Sequence, residues 1–374
     1  MRLERDNVRR AGLAGVLDGL IGTAVVDDQR LDLVDAIDLL WNVTKGLRDR
    51  RFFVVCRDLD NQLQMKVSVI MPVERLRTGA ERAIASVLNQ EASFPFELIL
   101  VSAQPLPAAS DNRVRNVVEE NRNPATRRNR AVSVSSGEIL AFIDDDAEAH
   151  PRWLQTAVTY LDHHPAVLAL GGPDPAPSDS TPAELMSETL LATRWIGSGV
   201  AAHENIRGIF PVRRATNLAL VNLFIRRAAF TGFDPAIGYI GEDSSLIHSL
   251  LERGDVVYHD GVIVYHRRRA FPGPYLKQRW RYRVKTGELL VAGSQAHRAN
   301  PKIHAFLFVG TLGILFAPII AIPYAIITLI LGARATRLPA RQWPMIPVAF
   351  AAHHLTYYFG ILYGMLRGII RGRR

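Results

Sequence analysis

Two stretches in the last third of the chain restrict its fold more than anything else in it. Ala305 to Gly332 is 28 residues without a charged side chain, and Trp343 to Leu366 is 24 residues without Lys, Arg, Asp or Glu. A helix needs roughly 20 apolar residues to cross a bilayer, so each stretch is long enough to span once. A helix apolar on every side at that length offers no polar face to water. Pro318 and Pro323 interrupt the first stretch. A proline inside a helix removes a hydrogen bond and kinks the rod. This stretch therefore reads either as one long kinked span or as a re-entrant hairpin, since two full spans would take about 40 residues.

The flanking charges suggest an orientation. If each stretch crosses once, Lys285, Arg298, Lys302, Arg367, Arg371, Arg373 and Arg374 share one side, and Arg334, Arg337 and Arg341 lie on the other. Basic residues concentrate on the cytoplasmic side of membrane proteins. The expectation is a multi-pass protein of the cell membrane with its soluble part in the cytoplasm. A hairpin would withdraw the three loop arginines from the far side. The formal net charge of +9 is gathered at His266 to Arg269, at Lys277 to Lys285 and at Arg367 to Arg374. Such blocks suit anionic partners. The apolar stretches account for them as bilayer contacts, and with no nucleic-acid motif alongside, nucleic acid is set aside. The single cysteine, Cys56, allows neither an internal disulfide framework nor a zinc cluster. Met1 to Arg10 is charged and lacks the apolar segment of a secretory signal.

From residue 66 to about 270 the pattern alternates between short apolar runs and helical periodicity. Val67 to Met71, Phe96 to Val101, Ile139 to Ile143 and Val262 to Tyr265 read as strands. Thr78 to Asn89, Arg127 to Ser135 and Trp153 to Leu161 read as helices, the first opened by the capping-box pattern Thr78-x-x-Glu81. This order predicts an α/β fold with a largely parallel sheet covered on both faces, which binds ligands outside the carboxyl ends of its strands. The expected division is an accessory helical segment over 1–64, a catalytic domain over 65–290 and a membrane region over 303–374. Met65 to Pro72 reads as a natural domain start, so residues 1–64 are expected to be dispensable or to lie upstream of the true start codon; intact mass of the native protein would decide the latter.

Two acidic groups stand out. Asp144, Asp145 and Asp146 directly follow the strand that starts at Ile139. Three adjacent carboxylates repel one another and are tolerable in a solvated loop or beside a cation. Hard oxygen donors suit Mg²⁺ or Mn²⁺, which also take substrate phosphates. Glu242 and Asp243 open a short helix whose apolar face is Leu246, Ile247, Leu250 and Leu251. Acids are common at helix starts for electrostatic reasons alone, and a carboxylate kept ionised there can also serve as a general base. Gln278 to Arg283 mixes basic with aromatic residues and suits either a diphosphate or a membrane interface. No phosphate-cradling glycine loop and no nucleophile elbow is present.

Taken in order, these residues resemble the family 2 glycosyltransferases with their GT-A fold. Val67 to Pro72 resembles the opening strand. Ala125-Thr-Arg-Arg-Asn129 resembles an A-x-x-R-N segment. Ser136 to Asp146 resembles the strand leading into the family's D-x-D. Gly232-Phe-Asp-Pro235 and Gly241-Glu-Asp243-Ser-Ser-Leu246 resemble its GFD and ED-x-x-L motifs. Five weak motifs in the right order over about 200 residues are specific together, and the apolar tail, with His354 to Gly360, resembles that of membrane-attached bacterial and archaeal members.

The resemblance implies an inverting, metal-dependent transfer from a nucleotide-sugar, a UDP-sugar first, to a membrane-associated acceptor: a polyprenyl-linked glycan, a lipid or a growing polysaccharide. It implies that Asp144 and Asp146 hold Mn²⁺ or Mg²⁺ with His266 beside them, and that Asp243, flanked by Glu242, is the base. Pro72, Val73, Glu74, Arg128, Asp144 and Asp145 would contact the donor. Gln278 and Arg281 keep the spacing of a Q-x-x-R-W motif, with Tyr282 in place of its tryptophan. One departure stands out: the second strand ends Val101-Ser102-Ala103-Gln104, without the aspartate that reads uracil in the family, and Asp111 comes too late to replace it. The base is thereby left open, and so is the alternative of a non-catalytic membrane scaffold with altered donor recognition.

Overall fold

The computed structural model describes residues 66–198, 200–237, 241–293 and 301–372. The expectations for residues 1–64, and Arg298, Arg373 and Arg374 of the charge argument, lie outside the described residues. In chain order the elements are β1 Val67–Pro72, α1 Thr78–Leu88, β2 Phe96–Ser102, β3 Val114–Val118, α2 Pro124–Val134, β4 Ile139–Phe142, β5 Ala147–Ala149, α3 Trp153–His163, β6 Val167–Gly171 and α4 Pro182–Ala192. They continue with β7 Ile209–Pro211, β8 Leu223–Arg226, α5 Glu242–Leu251, β9 Asp255–His259, β10 Val264–His266, α6 Gly273–Val291, α7 Pro301–Leu315, α8 Ala317–Ala335 and α9 Ile346–Gly372.

Eight strands form one sheet in the order β3-β2-β1-β4-β8-β6-β9-β7. β3, β2, β1 and β4 run parallel, and β6 is parallel to β9. β8 enters antiparallel between β4 and β6, and β7 is antiparallel to β9. The sheet is thus mixed and mostly parallel, with the reversal at β8. Successive strand residues point to opposite faces, and here both faces are buried. Val67, Val69 and Met71 join Ala83 and Val87 of α1 and Trp153 and Leu161 of α3 on one side. Ile70, Leu140 and Phe142 join Ala131 of α2 and Leu246 and Ile247 of α5 on the other. That double covering is why these strands read as continuous apolar runs.

The capping box expected at Thr78 and Glu81 is not formed. α1 starts one residue earlier, with Arg77 at its N-cap and no side-chain cap, so Thr78 is already helical. The reciprocal capping box of the described chain belongs to α4, between Thr181 and Glu184.

At its amino end the sheet is stitched by polar groups. Ser68 Oγ donates to Glu97 Oε1 at 2.6 Å and accepts from Gly137 N at 2.7 Å, while Ser136 N donates to the same Glu97 oxygen at 2.6 Å. A Cβ on Gly137 would lie 2.4 Å from Ser68 N. The Ser136-Gly137 pair ahead of β4 therefore allows the close approach of β4 to β1, which points the aspartate loop out of the opposite end.

Two helices are long and apolar enough to cross a membrane: Ala317–Ala335, and Ala340–Gly372, which contains α9. The first apolar stretch is broken at Phe316 into α7 and α8. Phe306 of α7 meets His354 and Tyr357, and Thr311 meets Tyr358, while Tyr324 and Gly332 of α8 meet His354 and then Ile346 and Phe350. α7 therefore runs with α9 and α8 runs against it, so the first apolar stretch folds back on itself at Phe316. α9 is tied to the rest of the chain by α6. A Cβ on Gly364 would fall 2.0 Å from Val284 O, and one on Gly287 would fall 2.2 Å from Ile361 O. Small residues at such crossings let helix backbones touch. On the outward faces Ile319, Ile322, Val348 and Leu366 are more than half exposed, as side chains facing hydrocarbon would be.

Candidate active site

The loop after β4 brings Asp144, Asp145 and Asp146 to the carboxyl end of the parallel strands. Each aspartate has a different neighbour. Arg128 of α2 donates through Nη2 to Asp144 Oδ1 at 3.2 Å and through Nη1 to Glu242 Oε1 at 3.1 Å. One guanidinium thus joins the loop after β4 to the first turn of α5. Asn129, the next residue, donates to Phe233 O at 2.7 Å and accepts from Phe233 N at 2.8 Å. The R-N and GFD segments, far apart in sequence, are locked together by that double bond.

Asp145 faces Glu74 N at 3.5 Å. Burial pushes its carboxyl up to about 6, and the charges of Asp146 and Asp144 add to this. Asp146 Oδ1 lies 3.4 Å from His266 Nε2, and its Oδ2 accepts from Arg269 at 3.3 Å. Burial works against its charge, but His266 and Arg269 hold the carboxyl down at about 2. Behind His266 stands Asp174, fully buried, 3.5 Å from His266 Nδ1 and 2.8 Å from His203 Nδ1, and paired at 2.9 Å with Arg268. Burial alone would lower the His266 pKa; the hydrogen bond and charge of Asp146, with Asp174 behind, raise it to about 9.

Glu242 and Asp243 differ in kind. Glu242 is buried against Arg128, and burial together with the Asp243 charge pushes its carboxyl up. Asp243 is half-buried, and its Oδ1 accepts from Ser244 N at 2.7 Å.

Two cavities meet at these aspartates. The smaller, of about 250 Å³, is lined by Pro72, Glu74, Arg127, Arg128, Asp145 and Arg269 among others. The larger, of about 2160 Å³, opens on Asp144, Asp146, Glu242, Asp243 and His266, takes in Gln278 and Tyr282, and continues between α7, α8 and α9. Val73 lies in the core, between Pro72 and Glu74 of the smaller cavity's wall, and lines neither cavity itself. Arg281 is exposed and lies off both cavity walls; its neighbours Arg279 and Arg283 line the larger one. Asp111 is spent on Arg113, at 2.7 Å, away from both cavities. Arg127 was not singled out from the sequence. It is buried, reaches Glu74 Oε2 at 3.2 Å and keeps an Nη2 with no partner.

Among the described residues no three His, Cys, Asp or Glu side chains converge where a cation could sit. The loop instead offers two part-exposed carboxylates, Asp144 and Asp146, with an imidazole beside one of them. That set fits Mg²⁺ or Mn²⁺ shared with substrate phosphates, which needs only one or two protein carboxylates. It does not fit a cation held by protein alone.

The sheet with its reversal at β8, the acidic loop at its carboxyl edge and the apolar C-terminal helices define an α/β domain of the GT-A class, followed by two candidate membrane spans. Residues 68–220 match the family model described as Glycosyl transferase family 2. It is similar to the glucosyl-dolichyl phosphate glucuronosyltransferase of Haloferax volcanii, 32% identical over 120 residues, which is 29% of this chain and 38% of that protein. It is also similar to glycosyltransferase AglE of the same organism, 29% identical over 108 residues, 25% of this chain and 35% of the relative. The matched segments thus span little more than a third of these relatives. Among solved structures, S. aureus TarS 1-349 aligns over 82% of this chain and 92% of its own, at 15% identity and a TM-score of 0.41.

Proposed function

We propose that this protein transfers a sugar from a nucleoside-diphosphate sugar to a lipid-linked acceptor at the membrane surface, with inversion at the anomeric carbon. The observation that carries the reading is the larger cavity, which joins Asp144, Asp146 and Asp243 to the walls of the apolar helices. A soluble acceptor needs no such continuation. Similarity to a relative named for acting on glucosyl-dolichyl phosphate supports the same acceptor class.

The donor nucleotide occupies the smaller cavity, against Pro72 and Glu74, with Arg127, Asp145 and Arg269 around it. Asp144 and Asp146 hold Mn²⁺ or Mg²⁺ with His266 beside them; when bound, the cation neutralises charge on the departing diphosphate. Asp243 accepts the proton of the acceptor hydroxyl. The freed oxygen bonds to the anomeric carbon as that carbon's bond to the diphosphate oxygen breaks on the opposite face. Asp243 suits this role because it is half-buried and opens into the cavity. Glu242 is a positioning residue: through Arg128 it sets the distance between the base and the aspartate loop. Gln278 and Tyr282 lie on the acceptor side. Residues 65–290 act as the catalytic domain on the cytoplasmic face and 303–374 as its membrane anchor.

The test is release of nucleoside diphosphate by the detergent-purified protein across UDP-, GDP- and dTDP-sugars, with and without Mn²⁺. Metal-dependent release from one of them supports the reading and names the donor. If no nucleotide protects the fold against heat with Mn²⁺ present, the donor site is lost, since binding to the folded state must stabilise it; the chain is then a scaffold.

A further inference from the structure

Nine arginines line the larger cavity. Arg194, Arg213 and Arg214 are exposed, and Arg269, through Asp146, joins three others that are matched to acids. Arg128 has Asp144 and Glu242, Arg267 has Asp179 and Glu184, and Arg268 has Asp174 and Glu188. Arg279 and Arg283 differ. They stand one turn apart on α6, on the cavity wall between the acid cluster and the apolar helices. Neither pairs with a carboxylate among the described residues. The Nε of each is buried without an acceptor.

What surrounds the two guanidinium groups is aromatic. Arg283 lies 3.9 Å from the centre of the Tyr357 ring, and Arg279 lies 4.8 Å from Tyr282 and 5.6 Å from Tyr275. Polar contacts run from Arg279 Nη2 to Gln278 Oε1 at 2.9 Å and from both guanidinium groups to the Tyr357 hydroxyl. Ring faces recover only a small part of a cation's lost hydration, and a desolvated charge without a counter-ion remains strongly unfavourable. Two like charges one turn apart add to the deficit. Two guanidinium groups without a carboxylate, gathered around one hydroxyl, match the oxygens of a phosphate, the group that arginine grips in two-pronged fashion. Tyr282 marks how close this is to the reacting centre: burial raises its phenol and Arg279 pulls it down, while the charges of Asp144, Asp243 and Glu242 push it up. On the other side the cavity wall turns apolar, with Phe306, Val309, Ile320 and Tyr324.

We infer that Arg279 and Arg283, with the Tyr357 hydroxyl, hold the phosphate ester at the head of a lipid acceptor whose hydrocarbon chain runs along α7 and α8. The inference rests on the acceptor half of the function proposed above and specifies its anchoring group. A phosphate there neutralises the arginine pair and fixes the acceptor's polar end beside Asp243. A sugar hydroxyl alone would leave both charges unmatched.

The experiment uses the full chain in a neutral detergent and farnesyl phosphate as the probe, followed by thermal unfolding. The wild type is expected to be protected by farnesyl phosphate and not by farnesol, inorganic phosphate or phosphatidylglycerol at the same concentration. In the Arg279→Gln/Arg283→Gln pair the apparent affinity is expected to fall by about tenfold or more, the size of losing charged hydrogen bonds. An Arg279→Lys/Arg283→Lys pair, which keeps the charge, retains part of it and stands in if the Gln pair does not fold. Protection by UDP or GDP with Mn²⁺ is expected to be unaltered. Equal protection of wild type and Gln pair overturns the inference, as does equal protection by farnesol or by phosphatidylglycerol. Loss of nucleotide protection with farnesyl phosphate binding intact overturns it too, by assigning the arginines to the donor. If nucleotides protect not even the wild type, the donor half of the proposed function fails, while the farnesyl phosphate comparison still decides this one.

Discussion

Arg128 and Glu242 lie 3.1 Å apart with less than a tenth of either side chain exposed, and the same guanidinium reaches Asp144. Removing one member of a buried pair strands the other, at a cost of about 3–5 kcal/mol. Arg128→Gln is therefore expected to lower the melting temperature sharply, and adding Glu242→Gln to recover part of the loss. Thermal unfolding of wild type, both single variants and the double variant measures the coupling. Strictly additive losses would show that the two side chains do not act as a pair.

Asp243 and Asp146 should separate by step. Asp243→Asn is expected to keep Mn²⁺-dependent protection by the donor nucleotide and to lose transfer by about 10²–10⁴-fold, the usual contribution of a positioned base. Asp146→Asn is expected to lose the protection itself. Transfer rates and melting curves on the same preparations read both. Near-normal turnover by Asp243→Asn would remove it from the base role.

Gly137→Ala places a methyl 2.4 Å from Ser68 N, against a backbone atom that cannot yield as a flexible side chain would. Overpacking of this kind costs about 1–3 kcal/mol. Denaturant unfolding is expected to show a lower midpoint with an unchanged slope.

Acid should destabilise the sheet through Glu97. Burial opposes its charge, but the bonds from Ser68 and Ser136, with Arg115 nearby, hold its carboxyl below the ordinary 4.5. A carboxyl lowered on folding contributes stability that is fully present above its unfolded value and is lost as pH falls through the folded one. The loss therefore begins as pH drops to about 4.5 and deepens below it. Glu97→Gln is expected to be less stable near neutral pH and to show a flatter acid limb. Urea midpoints from about pH 7 to about pH 3 test this, and an unchanged acid limb in the variant would exclude Glu97 as its source.

Much of the frame is legible in the sequence because it is local. β1, β2, β4 and α3 carry their own apolar patterns, and the structure starts each at the residue expected from the pattern. β8 escapes, since Leu223–Arg226 is four residues between short turns with no alternation to mark it, yet it reverses the sheet. At the site, the aspartate loop is readable from its place after β4. The division of labour between Arg127 and Arg128 is not, because adjacent arginines look alike until α2 points one at Glu74 and the other at Asp144. The larger cavity is invisible for a similar reason: its walls come from residues as far apart as Pro124 and Ile361. Thr78 shows the converse error, a correct pattern of letters set one residue away from where the helix turns.

The backbone contact of Gly364 with Val284 and of Gly287 with Ile361 also has a consequence for which acceptors can be used. With main chain against main chain, α6 has no slack to slide along α9, so Arg279, Arg283 and Tyr282 stand at one altitude above the apolar helices. The spacing from that level to Asp243 then acts as a ruler. On the anchoring proposed above, an acceptor is selected by how far its reacting group stands off from its anchor, as well as by its chemistry, and a single large residue in place of Gly364 is expected to reset the gauge.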